Sequence, residues 1–123
     1  MNLKYVKGEK MPFIDFNKRK IVKIWDGITG PLYHSENITS GHFTLDEGIV
    51  LPEHSHPHEQ WSHVIEGKLE FNINGDIKIL EAGMTALILP NIPHSGKAIT
   101  KCIVIDCFLP VREDFKDLEK NQT

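Results

Sequence analysis

The stretch LPEHSHPHEQ, from Leu51 to Gln60, contains the residues that decide the fold and the site. His54 and His56 are two residues apart, so both imidazoles project from the same face of an extended backbone. Gln60 has the same parity, although Pro57 makes strict alternation unreliable there. A strand with this pattern offers two imidazoles and one side-chain oxygen to a single metal ion.

A later segment, PNIPH from Pro90 to His94, supplies a third imidazole. We expect this segment to be a loop after an apolar strand, with a proline that stiffens the backbone just before His94. Three imidazoles and one oxygen suit one divalent transition metal ion (zinc, nickel, manganese or iron) and leave positions open for water or substrate. Two alternatives stay open: the paired histidines are a surface accident, or Glu59 binds the metal and Gln60 is structural. Parity favours Gln60.

Short apolar runs, punctuated by turn residues about every ten residues, predict an all-β sandwich or barrel. The predicted strands are Ile21–Trp25, His42–Leu45, Trp61–Ile65, Leu69–Ile73, Ile77–Leu80, Thr85–Leu89 and Ile103–Leu109. After the last strand, residues 111–121 are compatible with a short polar helix or tail.

The clearest local prediction is a hairpin around Asn74-Gly75, because both residues tolerate the positive φ of a two-residue type I′ turn. Apolar residues alternate with polar ones on both arms, so we expect one buried and one wet face. The residues predicted to share the buried face are Leu69, Phe71, Ile73, Ile77 and Ile79.

Composition bounds the class of protein. With 123 residues and 14.0 kDa, we expect one domain spanning residues 1–123, large enough to bury a core. Fourteen basic against seventeen acidic residues, without a long basic block, argue against nucleic-acid binding. No apolar run approaches the roughly 18 residues of a membrane span, and the first residues lack the pattern of a signal peptide, so we expect a cytoplasmic protein. Cys102 and Cys107 are predicted to be reduced.

Two segments resemble the two motifs of the cupin superfamily. The first motif is matched by Gly48, His54, His56, Gln60 and Gly67, with the glutamine where most members carry a glutamate ligand. The second is matched by Gly83, Pro90 and His94. The resemblance implies a double-stranded β-helix, or jelly roll, with the core motifs between about residues 40 and 110 and the metal inside the barrel.

The run from Leu51 to Gln60 and the tail VIDCFLPVREDF, from Val104 to Phe115, together resemble the small bacterial cupins of the pectin-degradation protein KdgF type. These proteins speed the conversion of 4,5-unsaturated uronates, released by pectate and alginate lyases, into open-chain keto acids. The metal ligands implied by the resemblance are His54, His56, Gln60 and His94. The implied pocket residues are Asp106, Phe108 and Arg112.

Asp106 and Arg112 each have a structural interpretation beside the functional one. An ionised Asp106 in an apolar strand is costly unless it is paired or faces a polar cavity, and its parity matches that of Phe108. A desolvated Asp106 has a raised pKa and suits proton transfer; a structural aspartate that ties down a loop is equally compatible with the strand pattern. Arg112 offers a planar fork to a carboxylate, but on pattern alone it is a solvated arginine paired with Glu113 or Asp114.

The remaining histidines are less informative about function. We place His58 beside the metal ligands or on the surface, and His63 either in the pocket or on the outward face of its strand. His34 and His42 are expected to be incidental.

Three functions are compatible with these residues. The first is a metal-dependent isomerase that opens unsaturated uronates, in which Asp106 moves the proton, Arg112 binds the carboxylate and Phe108 shapes the pocket. The second is a non-catalytic metal-binding cupin that binds or senses a sugar acid or another small metabolite. The third is an iron-dependent dioxygenase. We expect a small-molecule partner and, from sheet edges and the N-terminal segment, a homodimer.

Overall fold

The computed structural model describes residues 13–123, which form ten strands and one α-helix. The strands of the first half are β1 (Ile21–Trp25), β2 (Ile28–His34), β3 (Thr39–Leu45), β4 (Val50–His54) and β5 (Glu59–Glu66). The second half contains β6 (Leu69–Ile73), β7 (Asp76–Leu80), β8 (Thr85–Ile88), β9 (His94–Ala98), β10 (Cys102–Leu109) and α1 (Glu113–Asn121). The first twelve residues, which we predict to contribute to a dimer, lie outside the described residues.

The strands form two antiparallel sheets around one apolar core. The six-stranded sheet has the order β1-β2-β3-β10-β5-β8, and the four-stranded sheet has the order β4-β9-β6-β7. This arrangement confirms the predicted all-β jelly roll. Val22, Leu32 and Ile88 have no accessible surface, and burial of each such side chain contributes about 1.5–3 kcal/mol to folding.

Three of the ten strands, β2, β4 and β9, are not among the predicted runs, although the segment around His54 in β4 was expected to be extended. In β2, the pair Gly30-Pro31 is typical of a turn. The strand nevertheless needs glycine at position 30, because the Cβ of any other residue would lie 2.0 Å from the carbonyl oxygen of His42 on β3. In β9, His94 is the first residue of a strand and does not lie in the preceding loop. The prolines of PNIPH obscure this strand, because they predict irregular backbone up to His94 itself.

The hairpin between β6 and β7 has the predicted turn but not the predicted faces. Asn74 and Gly75 have φ of 51° and 91°, as a type I′ turn requires. Because Ile73 pairs with Asp76 across this turn, Ile77 lies opposite Asn72 on the outer face. The prediction that Ile77 and Ile79 share the buried face was therefore wrong; they are 61% and 46% exposed.

The C-terminal helix α1 closes one end of the barrel. It begins after the predicted start, at Glu113, and packs Phe115 into the core. After the helix, the side chain of Gln122 accepts a hydrogen bond from the backbone N–H of Lys23 (2.7 Å) and donates one to its carbonyl oxygen (2.8 Å). These bonds tie the end of the helix to the edge strand β1.

Two further expectations can be compared with the described residues. Cys102 and Cys107 are free thiols, as predicted. In residues 13–123, no helix has both the length and the apolar character that a membrane span requires.

Candidate metal centre and active site

Two imidazoles meet where strands β4 and β9 pair. His54 and His94 are directly opposite residues in this pairing, and their ring centroids are 4.2 Å apart. The Nδ1 atom of His54 lies 2.8 Å from the carbonyl oxygen of Pro52, and that of His94 lies 2.8 Å from the carbonyl oxygen of Ile92. Since a carbonyl only accepts, each Nδ1 carries the proton and each Nε2 keeps a lone pair for a metal ion.

The third imidazole, His56, lies just beyond the end of β4. Candidate ligand atoms of His54, His56 and His94 all lie within 4.8 Å of one another. The Nε2 atom of His56 is 3.0 Å from Oε1 of Gln60. Two atoms that each lie about 2.1 Å from one ion are about 3.0–3.4 Å apart at octahedral or tetrahedral angles. These donor atoms therefore fit a shared divalent ion.

The amide of Gln60 is held in one orientation. Its Nε2 donates to the hydroxyl of Ser62 at 2.9 Å, and Oε1 is left on the side of His56. Glu59 instead accepts a hydrogen bond from the indole Nε1 of Trp61 at 2.9 Å. The structure thus places Gln60, and not Glu59, beside the imidazoles. Sequence reasoning missed Ser62, although its i+2 spacing from Gln60 signals a side chain on the same face.

Burial keeps the imidazoles of His56 and His94 neutral. Desolvation, with a smaller contribution from the positive charge of Arg112, lowers the pKa of His56 to about 4. Burial is also the main cause that lowers the pKa of His94. Neutral imidazoles bind transition metals, so both side chains are ready to act as ligands near neutral pH. With the neutral amide of Gln60, this ligand set leaves the full charge of a divalent ion uncompensated.

Asp106 lies on β10, directly opposite Ser62 on β5. Its carboxyl lines the cavity, hydrogen bonds with the Ser62 hydroxyl, and has a buried Oδ1 without a hydrogen-bond partner among the described residues. Burial raises the pKa of Asp106 to about 7, while Ser62 and Arg112 act in the opposite direction. A carboxyl that titrates near neutral pH suits general acid–base catalysis.

Arg112 is the residue that precedes α1, and its guanidinium is buried at the mouth of the barrel. Nε and Nη2 donate to the two carboxylate oxygens of Asp114, at 3.1 and 2.7 Å. The guanidinium carbon also lies 3.7 Å from the ring centre of Phe115 and 4.7 Å from that of Phe108. The pairing with Asp114 agrees with the alternative interpretation of Arg112 as a solvated, ion-paired arginine, but the burial of its guanidinium does not. Within residues 13–123, Nη1 makes no hydrogen bond and is available to a ligand.

A cavity of about 400 Å³, a size that suits a small molecule, is lined by some of the predicted site residues. The site residues in its wall are His54, Gln60, Asp106, Phe108 and Arg112. A smaller cavity of about 50 Å³ shares Gln60 and Asp106 and reaches His94. Strand β1 and helix α1 contribute apolar side chains to the cavity wall, namely Ile24, Trp25 and Leu118.

The other histidines differ in their distance from the site. The ring of His58 lies 5.3 Å from that of His56, which places it beside the metal ligands. His63 is on the outward face of β5 and shares a hydrogen bond of 2.6 Å with Thr85. His42 stacks on Phe16 with ring centres 3.7 Å apart, away from the cavity.

Comparisons with known proteins place this architecture in a family. The model of the cupin domain matches residues 41–108, which is more than half of the chain. An RmlC-like cupin from Shewanella frigidimarina NCIMB 400 is 32% identical, with a TM-score of 0.79 over 84% of this chain and 94% of that chain. A search of curated proteins gave no match.

Two other solved structures show likeness of fold. KdgF from Halomonas sp. is 24% identical, with a TM-score of 0.78 over 85% of this chain and 97% of that chain. Oxalate decarboxylase from Bacillus subtilis, a protein with Mn(II) centres, is 20% identical, with a TM-score of 0.70 over 79% of this chain and 29% of that chain. The matched domain, the jelly roll and the histidine cluster lead to one conclusion: this chain belongs to the cupin domain family.

Proposed function

We propose that this cupin is a metal-dependent isomerase that opens the ring of 4,5-unsaturated uronate monosaccharides, such as those formed in pectin or alginate breakdown. One observation carries the proposal. Two imidazoles of the candidate metal triad, a buried carboxyl and a buried guanidinium line two cavities that share Gln60 and Asp106. This set offers charge stabilisation, proton transfer and carboxylate binding at one place. The resemblance of the Val104–Phe115 tail to KdgF-type cupins supports the choice of substrate.

The reaction is an isomerisation in which one proton moves within the substrate. Removal of the proton from the C1 hydroxyl forms the aldehyde and breaks the bond between C1 and the ring oxygen. The ring oxygen then becomes an enolate oxygen on C5. Protonation at C4 gives the C5 ketone of an open-chain keto acid. No oxidant, reductant or second substrate is needed.

Each proposed catalytic residue has a role that follows from its position. The carboxyl of Asp106 takes the proton from the C1 hydroxyl and returns it at C4, since its pKa of about 7 allows both states. Nη1 of Arg112 donates to the substrate carboxylate. Phe108 supports that guanidinium and forms part of the cavity wall. A divalent ion held by the three histidines and Gln60 would stabilise the negative charge that develops on the enolate oxygen.

The proposal is tested by product analysis. Metal-loaded protein is incubated with unsaturated galacturonate, and the vinyl C4 proton is followed by NMR. We expect faster conversion to the open-chain keto acid than in a protein-free control. Equal rates with and without protein of confirmed metal content would contradict the proposal.

A second candidate function is a non-catalytic cupin that binds a sugar acid or a small metabolite. The apolar part of the cavity wall favours it, because Ile24, Trp25 and Leu118 suit contact with a ligand and have no part in proton transfer. This function predicts that ligand raises the melting temperature without turnover. It also predicts that Asp106→Asn keeps the ligand-induced shift.

We also propose a cytoplasmic homodimer that packs through the outer face of the six-stranded sheet. Exposed apolar side chains on this face and its edge are Trp61, Ile65, Leu87, Leu89 and Leu109. Trp61 lies between Leu87 and Cys107 in the strand register, so the centre of the face is apolar, with the Glu59 carboxylate hydrogen-bonded to the indole at its side. An apolar face of this kind is compatible with itself across a twofold axis, because the same side chains can pack against each other from both subunits.

A further inference from the structure

The amide of Gln60 poses an orientation problem that a glutamate ligand does not have. Only the oxygen end of an amide binds a metal ion, whereas both ends of a carboxylate do. The two ends of the amide are nearly equal in shape, so packing alone does not choose between them. Gln60 is buried, and its neighbours must therefore supply the choice through hydrogen bonds.

Ser62 supplies an acceptor at the required place. It has no accessible surface and follows Gln60 by two residues on β5, so both side chains point inward. Gln60 Nε2 donates to the Ser62 hydroxyl at 2.9 Å, while Oε1 lies 3.0 Å from Nε2 of His56. The reversed amide would turn its NH2 group, which binds no metal ion, towards the imidazole and would lose its donation to the Ser62 hydroxyl.

The hydroxyl of Ser62 also has a defined direction. A hydroxyl has one proton to donate and lone pairs to accept with. Because Ser62 accepts from Gln60, its proton is available for the carboxyl of Asp106, which it hydrogen bonds from the opposite strand. The hydrogen bonds thus run in one direction, from the amide through the hydroxyl to the carboxyl.

We infer that Ser62 is a positioning residue that turns the oxygen of Gln60 towards the metal and links this ligand to Asp106. The inference rests on the metal-binding part of the proposed function and is independent of the substrate. In this role the hydroxyl orients an amide ligand, whose two ends differ. A carboxylate ligand needs no such orientation, because both of its ends are oxygens. Replacement of Gln60 by glutamate therefore separates positioning from simple core packing.

The test is a double-mutant cycle on metal affinity, measured by chelator competition with zinc and nickel. The four proteins are wild type, S62A, Q60E and Q60E/S62A. We expect S62A to weaken metal binding about 10–100-fold, the usual effect of losing a group that orients a ligand. In the Q60E background, the same change is expected to alter affinity by no more than about twofold, the limit of additivity for independent changes.

Controls separate positioning from loss of fold. Ser40→Ala removes a hydroxyl from β3, two strands away from Ser62 in the six-stranded sheet, where it accepts a hydrogen bond from the Cys107 thiol, and is expected to leave affinity unchanged. If S62A does not fold, S62T and S62V provide the comparison, because these two side chains have the same shape and differ in the hydroxyl. We then expect S62T to bind the metal more tightly than S62V.

Three outcomes overturn the inference. They are wild-type affinity in S62A, an equal loss of affinity in both backgrounds, and no binding of either metal by the wild-type protein. Failure of the proposed reaction has no effect on these results, since no substrate is present.

Discussion

His54 and His94 lie directly opposite each other on the paired strands β4 and β9, with ring centres 4.2 Å apart. Sheet pairing therefore brings them together, and each ring is fixed by a hydrogen bond from Nδ1 to a backbone carbonyl. The fold thus organises the ligand geometry in the protein itself, which reduces the ordering cost of metal binding.

Removal of one of these imidazoles is expected to weaken metal binding. His94→Ala deletes a ligand whose Nε2 is buried and has no partner among the described residues. We expect a loss greater than the roughly 10–100-fold that follows from removal of an orienting group alone. Isothermal titration calorimetry with zinc and nickel measures this loss of metal affinity. His42→Ala, which alters a ring stacked on Phe16, is the control. Equal affinities of His94→Ala and wild type would argue against the metal centre.

The raised pKa of Asp106 predicts a pH-dependent stability difference between metal-free wild type and Asp106→Asn. The unfolded chain ionises this group near pH 3.8, but the folded protein keeps its proton up to about pH 7. Between these two pH values the folded state binds more protons than the unfolded state. As the pH rises through this window, the free energy of unfolding of wild type, relative to that of the variant, therefore falls by about 1.4 kcal/mol per pH unit. This difference in unfolding free energy levels off above pH 7. Urea denaturation at several pH values measures the difference; a pH-independent difference would show an ordinary pKa.

The bidentate pair of Arg112 and Asp114 predicts a role for Asp114 in carboxylate binding. Asp114→Asn removes a charge and weakens the bonds that hold Nε and Nη2. We expect kcat/KM for an unsaturated uronate to fall about tenfold or more, since a hydrogen bond to a charged group contributes about 1.5–3 kcal/mol.

The control for that variant is Glu113→Gln. It makes the same charge change in the same turn, but Glu113 pairs with Lys116 at 3.5 Å and not with Arg112. Its kcat/KM is expected to stay near the wild-type value. Equal losses in both variants would indicate a general effect of charge and contradict the role of the pair.

The proposed dimer predicts that Trp61→Asp produces a monomer. Trp61 is 49% exposed at the centre of the outer apolar face, and a carboxylate there would be buried next to its symmetry mate. Ile77→Asp is the matched control, because Ile77 is exposed on the outer side of the other sheet. Sedimentation velocity distinguishes the species. A monomeric wild type, or dimers of all three proteins, would exclude this interface.

Local patterns were sufficient for much of the fold and for the choice of candidate ligands. The alternation of His54 and His56, the parity of Gln60 and the positive φ of Asn74 and Gly75 depend on neighbouring residues, which a sequence displays directly. The family resemblance then linked these features to a jelly roll.

Long-range packing explains what was missed. Ile77 faces outward because the hairpin register places it opposite Asn72, and alternation within its own strand does not contain that information. Arg112 is buried because two aromatic rings cover its guanidinium. Ser62 gains its role from Asp106 on another strand, so its sequence spacing shows only the face on which it lies.

The most direct test of the proposed function is the initial rate at which unsaturated galacturonate loses the ultraviolet absorbance of its conjugated alkene. The assay compares wild type with Asp106→Asn, each with confirmed metal content and fold. We expect wild type to accelerate the loss and the variant to be slower by about 100-fold or more, the usual contribution of general acid–base catalysis. Equal rates in the wild-type, variant and protein-free samples would contradict the proposed function.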